Sequence, residues 1–344
     1  MGINVLSLFD GMSCGQIALE RAGIQVNNYV ASEIKPHAIK VTQHNYPKTI
    51  QLGDVTKITK DRLPKIDMVI GGSPCQDFSR GNKERLGLDG EKSGLFMQYL
   101  RIVEELRPRF FLLENVVMDF LDEQTISGYM KTKPVKINSS LVSAQLRDRL
   151  YWTNIGPEDF DLFGNRESII PPPTDKNIQV QHILETGYTN MNKSRALLES
   201  DSRPLSTPLK MFHRYYSRGF TTVVFKNPES FKQMETAYNS AQVNQVNQVN
   251  PAKEFGNSPH ENNRVYADIG KSPCVTAQQG KRMLVFTKEL IRYFTQTELE
   301  RLQTVPEGYT KILNRNQAAC LLGDGWTVDV IAHIFSFLPK EYKL

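Results

Sequence analysis

The sequence predicts an α/β protein: a largely parallel sheet with helices on both faces, and a smaller domain inserted late in the chain. Three observations predict it. Apolar runs of strand length alternate with helix-like stretches over the first 155 residues. From Gly156 to about residue 284 the composition shifts to Pro, Asn, Gln and Ser with little helical period. Helical period then returns from Thr287 to the end of the 344 residues.

Strands are expected at 4–9, 29–32, 67–72 and 110–113, with helices at 16–22, 36–44 and 94–106 between them. Further strands are expected at 135–142 and 150–154. The central stretch carries Pro171-Pro172-Pro173 and three copies of Gln-Val-Asn over 242–250. That tract is low-complexity and reads as an exposed loop or mobile connection. Helices are expected at 297–305, 316–322 and 328–338. The expected organisation is therefore 1–155 plus 287–344 as one domain, with 156–286 inserted.

A hydrophobic content of 40% with 23% charged residues is ordinary for a globular chain, so wholesale disorder is excluded. No uninterrupted apolar run approaches the roughly 20 residues of a membrane span. A strand begins at Asn4, with no basic leader before it, so neither a signal peptide nor a membrane role is expected, and a cytoplasmic location is. Cys14, Cys75, Cys274 and Cys320 lie far apart without a C-x-x-C pair, which argues against zinc and against a disulfide framework. The net charge of +5 is compatible with nucleic acid without demanding it.

The strongest local signal is Cys75. The apolar strand at 67–72 runs into Ser73-Pro74-Cys75-Gln76, which places a thiol just beyond the carboxyl end of a strand. Ligands of doubly wound sheets bind there, and a thiol so placed is set like a nucleophile. The plainer alternative is a small buried hydrophobe. The next strand ends in Glu114-Asn115-Val116, and a carboxylate there faces the same crevice as Cys75 if the two strands are neighbours. Its plainer alternative is a capping or salt-bridged acid.

The turn Phe9-Asp10-Gly11-Met12-Ser13-Cys14-Gly15 joins the first strand to the first helix. Glycine lets backbone approach a ligand, and the helix start offers free N–H groups. Glu33 ends the second expected strand, where an acid takes ribose hydroxyls, and Asp54 follows a third. Together they favour a nucleoside cofactor. The turn lacks G-x-G-x-x-G, which disfavours NAD. It does match G-x-S-x-G, the nucleophile elbow of serine hydrolases. That rival lacks an H-G-G-G loop, and its one late histidine, His333, lies in an apolar helix and reads as a packed core residue.

Taken in order, these segments resemble the cytosine-5 DNA methyltransferase family. Gly71-Gly72-Ser73-Pro74-Cys75-Gln76 resembles its Pro-Cys motif, Glu114-Asn115-Val116 its Glu-Asn-Val, and Gln145-Leu146-Arg147-Asp148-Arg149 its Gln-x-Arg-x-Arg. Arg264-Val265-Tyr266 with Gly270 and Thr276, and Phe294-Thr295 with Glu298 and Arg301-Leu302-Gln303, resemble later motifs. The last motif departs from the usual Gly-Asn, reading Gly323-Asp324-Gly325-Trp326-Thr327-Val328. That form is more like the animal de novo DNA methyltransferases, while the compact length suits a bacterial or phage enzyme.

The resemblance implies a Rossmann-like S-adenosylmethionine-dependent methyltransferase domain with an inserted target-recognition domain. It implies Cys75 as nucleophile toward cytosine carbon 6, Glu114 on the ring N3 and exocyclic amine, Arg149 on the base carbonyl, and Arg147 holding the pocket. Phe9, Asp10, Gly11, Ser13, Gly15, Glu33, Ile34, Asp54, Val55, Pro74, Trp326, Thr327 and Val328 become the expected S-adenosyl-L-methionine contacts. Gln76, Ser79, Arg80, Lys83 and Arg85, in a glycine-hinged loop, become expected contacts to a flipped-out base and its phosphates.

Within 203–232 six Lys or Arg stand against Glu229 alone, interleaved with Phe212, His213, Tyr215, Tyr216, Phe220 and Phe225. That mixture suits a DNA surface, with Arg214 and Arg218 as expected contacts. Strands with a solvated basic face are the alternative. The implied partner is double-stranded DNA, and the implied state a monomer. Two rivals remain: the tRNA-methylating branch, whose Cys-Phe-Thr signature is absent, and a catalytically dead regulator, which has no need of Cys75, Glu114 and Arg149.

Overall fold

A strand that is apolar at nearly every position belongs inside a sheet covered on both faces. Strand β1 (Ile3–Leu8) is such a strand and lies at the sheet's centre. The computed structural model describes residues 1–73, 93–161, 164, 166–198, 207–219, 222–239, 265–267, 284–286 and 288–344. Around β1 are β2 (Val26–Ser32), β3 (Ile50–Gln51), β4 (Met68–Gly72), β5 (Phe110–Val116), β6 (Val135–Asn138) and β7 (Asp148–Thr153). They form a seven-stranded sheet in the order β3-β2-β1-β4-β5-β7-β6. The first five pair in parallel, and β7 runs antiparallel to both β5 and β6. The strand order reverses between β1 and β4, which opens a crevice beyond their carboxyl ends.

Alternation along the strands sends side chains to two cores. Val5, Ile70 and Leu112 pack on one face with Ile17 and Leu19 of α1 (Cys14–Arg21) and Val41 of α2 (Pro36–Asn45). The same core holds Val328, Ile331, Ile334 and Phe335 from near the chain's end. Leu6, Val69 and Leu113 pack on the other face with Phe96, Tyr99 and Leu100 of α3 (Ser93–Leu106) and Ile126 of α4 (Phe120–Met130). Each fully buried aliphatic side chain contributes roughly 1.5–3 kcal/mol. The first 150 residues and the last 50 thus share one interior. The most apolar helical stretch, Arg315–Phe335, is 67% buried inside the protein over its most apolar window.

A third, separate cluster gathers Leu209, Phe212, Tyr215, Val223, Phe225, Phe231, Met234 and Ile291. Strand Val223–Phe225 pairs there with Ile291–Tyr293. Ile170, Val180, Ile183 and Leu197 pack instead in the main core. The small core draws its buried residues from 209 to 291, with Tyr188 and Met191 packed against it.

Several elements differ from expectation. The central stretch contains the helices Pro208–Arg218 and Pro228–Asn239 where little helical period was read. Each starts on a capping residue followed by proline: Thr207 Oγ1 accepts from Lys210 N at 3.2 Å, and Asn227 Oδ1 from Ser230 N at 2.8 Å. The strand expected over 135–142 stops at Asn138, whose side chain accepts from Ser140 N and starts a 3-10 turn. Helix α4 was not anticipated, because its apolar residues form no single stripe: Phe120 and Leu121 are exposed and Ile126 is buried. His333 is half-buried at the surface, with its ring Nε2 2.7 Å from the Pro171 carbonyl. The Gln-Val-Asn tract lies outside the described residues.

Candidate active site

The turn after β1 is built on backbone that L-residues rarely adopt. Phe9, Gly11 and Ser13 have φ of 55°, 60° and 61°. Such strain persists only where surroundings impose it, and it clusters at ligand sites. Here the surroundings are named. Asp10 accepts from the Ser13 hydroxyl and, at 2.8 Å, from Tyr29. Ser13 is fully buried and also lies 3.1 Å from Thr42 Oγ1. Burial pushes the Asp10 carboxyl up to about 6, against hydrogen bonds from Ser13, Ser7 and Tyr29. A buried Ser13 committed to Asp10 is no nucleophile elbow, which disposes of the hydrolase rival. Cys14 behind it is buried and its thiol is pushed up to about 12, so it stays protonated.

The expected cofactor residues divide by geometry. At Gly11 an added Cβ meets nothing within 4 Å, so the turn faces open space there. At Gly15 it would lie 2.5 Å from Ile70 Cδ1 and 2.9 Å from the Tyr29 hydroxyl, so Gly15 serves close packing of α1 on the sheet. Glu33 follows β2 and curls back: its carboxylate accepts from Gly11 N at 2.8 Å, Ile34 N at 2.7 Å and Lys35 N at 2.8 Å. Ile34 beside it is 70% exposed. Asp54 caps the short turn Val55–Lys57, with Oδ1 accepting from Thr56 N and Oγ1. These bonds hold its carboxyl below the usual range. Ser32 Oγ donates to the Gly53 carbonyl at 2.7 Å and ties the two loops together. Phe9 and Val55 pack in the α3-side core, Val55 buried and Phe9 partly so.

The second group sits at the ends of β4 and β5. Gly72 and Glu114 are in-register partners. Arg149 on β7 reaches Glu114 diagonally, placing Nε 2.9 Å from Oε1. Trp326 donates its indole N–H to Oε2 at 3.2 Å. Each carboxylate oxygen therefore has its own donor, one charged and one neutral. Asn115 donates to Ser73 Oγ at 3.3 Å, across the strand ends. Pro74 and Cys75 follow Ser73 directly and, with Gln76, Ser79, Arg80, Lys83 and Arg85, lie outside the described residues.

Arg147 behaves differently from Arg149. It is 4% exposed. Its guanidinium donates to the carbonyls of Leu197 at 3.1 Å, Gly323 at 3.2 Å and Gly325 at 3.0 Å. Gln145 and Gln303, both fully buried, complete this clamp. Gln145 Nε2 donates to Gln303 Oε1 and to the Leu302 carbonyl, each at 2.8 Å. Thr327 Oγ1 donates to Gln303 Oε1 at 3.0 Å and accepts from Ser139 at 3.0 Å. Thr327 and Val328 are buried, the first in this network and the second in the core. So the segment around Trp326 is held by residues from the turn after β6, the Gln-x-Arg-x-Arg segment and the C-terminal segment.

Sequence reasoning missed three supports. Tyr309 donates to the Met12 carbonyl at 2.6 Å and props the first turn. Lys35 pairs with Asp324 at 2.6 Å, joining the Glu33 loop to the last motif. Gln303 carried a motif resemblance but no role. Only Asp324 stood out in the sequence, as a departure from the family's Asn. In the small core, Arg214 lies half-buried on the helix Pro208–Arg218, and the side chain of Arg218 is outside the described residues. Phe212 and Tyr215 are buried in that core, so the aromatic residues interleaved with the basic ones divide, with only Tyr216 of these three exposed.

A profile of the family described as C-5 cytosine-specific DNA methylase matches residues 3–340. The orphan methyltransferase M.SPRI of Bacillus phage SPR is 28% identical over 333 residues, 92% of this chain and 73% of that protein. The type II methyltransferase M.NgoBV of Neisseria gonorrhoeae is 38% identical over 205 residues, 54% of this chain and 47% of that protein. Among solved structures, the S. pombe Dnmt2 methyltransferase superposes with a TM-score of 0.62 at 14% identity, covering 98% of both chains. The Entamoeba histolytica methyltransferase EhMeth does so with 0.59 at 16% identity over the whole of both. At such identities these two show the fold.

Proposed function

The chain belongs to the family of C-5 cytosine-specific DNA methylases, and on that premise we propose that it methylates carbon 5 of cytosine within a short duplex sequence, using a flipped-out base and a covalent cysteine adduct. The observation that carries this reading is the Glu114 carboxylate, held by Arg149 and Trp326 at the end of β5, beside the β4 end that leads into Pro74-Cys75.

The residues at the crevice fit S-adenosyl-L-methionine. Open space at Gly11, the Glu33 carboxylate, the exposed Ile34 side chain and Asp54 would hold its nucleoside. Bound there, it supplies an electrophilic methyl group. The protein does the rest. The Cys75 thiolate adds to carbon 6 of cytosine, and its electron pair makes carbon 5 nucleophilic. Glu114 hydrogen-bonds the ring N3 and exocyclic amine, and Arg149 the base carbonyl, offsetting charge as it develops. Once carbon 5 carries the methyl group, a base takes the carbon 5 proton, and expulsion of Cys75 restores the ring double bond. Arg147 acts through backbone, by holding the segment around Trp326.

The target atom is sealed inside a stacked duplex, so the base must leave it. The small core between 209 and 291 is the recognition module in this reading, with Arg214 and Arg218 on its basic helix as DNA contacts.

Bisulfite sequencing of plasmid from bacteria expressing the chain, beside Cys75→Ser, tests the proposal. Protected cytosines in one recurring short context, lost in the variant, are expected. Soluble protein with no protected cytosine would sink it and shift weight to an RNA substrate or a regulator.

A further inference from the structure

We infer that Trp326 is a positioning residue for Glu114, aiming the carboxylate from the far end of the chain, in addition to any contact it makes with cofactor. This rests on the reading of Glu114 as the base-contacting carboxylate. An indole N–H only donates, so its 3.2 Å approach to Oε2 is a bond with one sense. Arg149 holds Oε1 from β7. With one donor per oxygen, drawn from two unrelated segments, the carboxylate plane is fixed rather than merely tethered.

The contact is also enclosed. A Cβ on Gly72 would lie 2.9 Å from both Glu114 Oε2 and Trp326 Nε1, so the end of β4 presses on the pair and tolerates no side chain. On the other side, the Trp326 ring lies 3.5 Å from where a Gly15 Cβ would be. Two glycines on two elements therefore leave a slot that the indole occupies. Its backbone cannot swing away, because Arg147 holds the Gly323 and Gly325 carbonyls and the Gln303 carbonyl accepts from Val328 N at 3.1 Å.

The family's usual asparagine is replaced in this stretch by Asp324, which turns outward to Lys35. The polar group of this stretch that reaches Glu114 is the Trp326 indole N–H.

A residue that only walls the cofactor site would raise the cofactor KM when altered. A positioning residue lowers kcat. Trp326→Phe keeps the ring and removes the N–H. It is expected to lower kcat about tenfold, the worth of one such hydrogen bond, with both KM values within about twofold.

A second readout needs no turnover. The chain has two tryptophans, and Trp152 donates to Ser127 Oγ at 2.9 Å, away from Glu114. Protein labelled with 15N at the indoles shows two N–H signals, and Trp326→Phe identifies which is which. Glu114→Gln, which replaces a carboxylate acceptor with a weaker amide, is expected to move the Trp326 signal upfield and leave Trp152 in place. An unmoved Trp326 signal overturns the inference, as does Trp326→Phe with unchanged kcat and a raised cofactor KM. An active wild type with either result leaves the methyltransferase reading intact, whereas a wild type that methylates no DNA cytosine overturns that reading and this role with it.

Discussion

Tyr309 donates its hydroxyl to the Met12 carbonyl at 2.6 Å, so a residue of the last quarter of the chain supports the turn that follows the first strand. Three residues of that turn and its borders lie in left-handed backbone, and the bond closes on its middle.

Tyr309→Phe leaves a buried carbonyl without its donor. A loss of roughly 1–2 kcal/mol in urea denaturation is expected, together with weaker S-adenosylmethionine binding by calorimetry. Unchanged affinity would show that the turn keeps its shape without this prop.

Gly72→Ala puts a methyl group 2.9 Å from both Glu114 Oε2 and Trp326 Nε1. The carboxylate must shift, and a displacement of that order is expected to cut kcat by about 10²-fold. The thermal midpoint should fall little by comparison, since no core side chain is lost. A variant of normal kcat would mean that Glu114 has room that the structure denies it.

Arg147 and Arg149 should separate cleanly. Arg147→Met strands the carbonyls of Leu197, Gly323 and Gly325 and is expected to lower stability by roughly 2–3 kcal/mol. Arg149→Lys keeps a charge but loses the guanidinium contact with Glu114, so single-turnover methylation should slow about 10- to 100-fold while the denaturation midpoint stays near wild type. The opposite pattern would exchange their roles.

Asp10 gives a pH signature. Its folded-state carboxyl is raised from 3.8 to about 6 by burial, so between those values the native state holds more protons than the unfolded chain. Stability then falls as pH rises through that window, with the favourable contribution present below about 4 and lost above about 6. The full difference is on the order of 3 kcal/mol. Urea denaturation of wild type and Asp10→Asn at intervals from pH 4 to 7 checks this. The gap between the two curves should change across the window, and a constant gap would place the Asp10 carboxyl in its ordinary range.

The sheet was legible because its strands are short apolar runs bounded by turn residues, and because Glu33, Asp54 and Glu114 sit at strand ends where the topology collects them. Phe9 was read as the strand's last residue, yet it takes positive φ, a conformation that no phenylalanine advertises. The two arginines looked alike because residues two apart share a face on a strand, but Arg147 precedes β7 and Arg149 lies on it. Tyr309 and Gln303 were invisible as supports because their partners lie far away in sequence. The helices Pro208–Arg218 and Pro228–Asn239 were hidden by polar composition, although a capping residue and a proline open each.

The sharing of one interior by both ends of the chain sets a timetable for assembly. During synthesis the sheet strands emerge first, yet α1 has no Val328–Phe335 helix to cover it, and Glu114 has no indole to meet, until some two hundred further residues have been made. Contacts of such long range form late and slowly. A nascent chain that has not yet reached Trp326 therefore carries Glu114 and Arg149 without the third partner of their constellation.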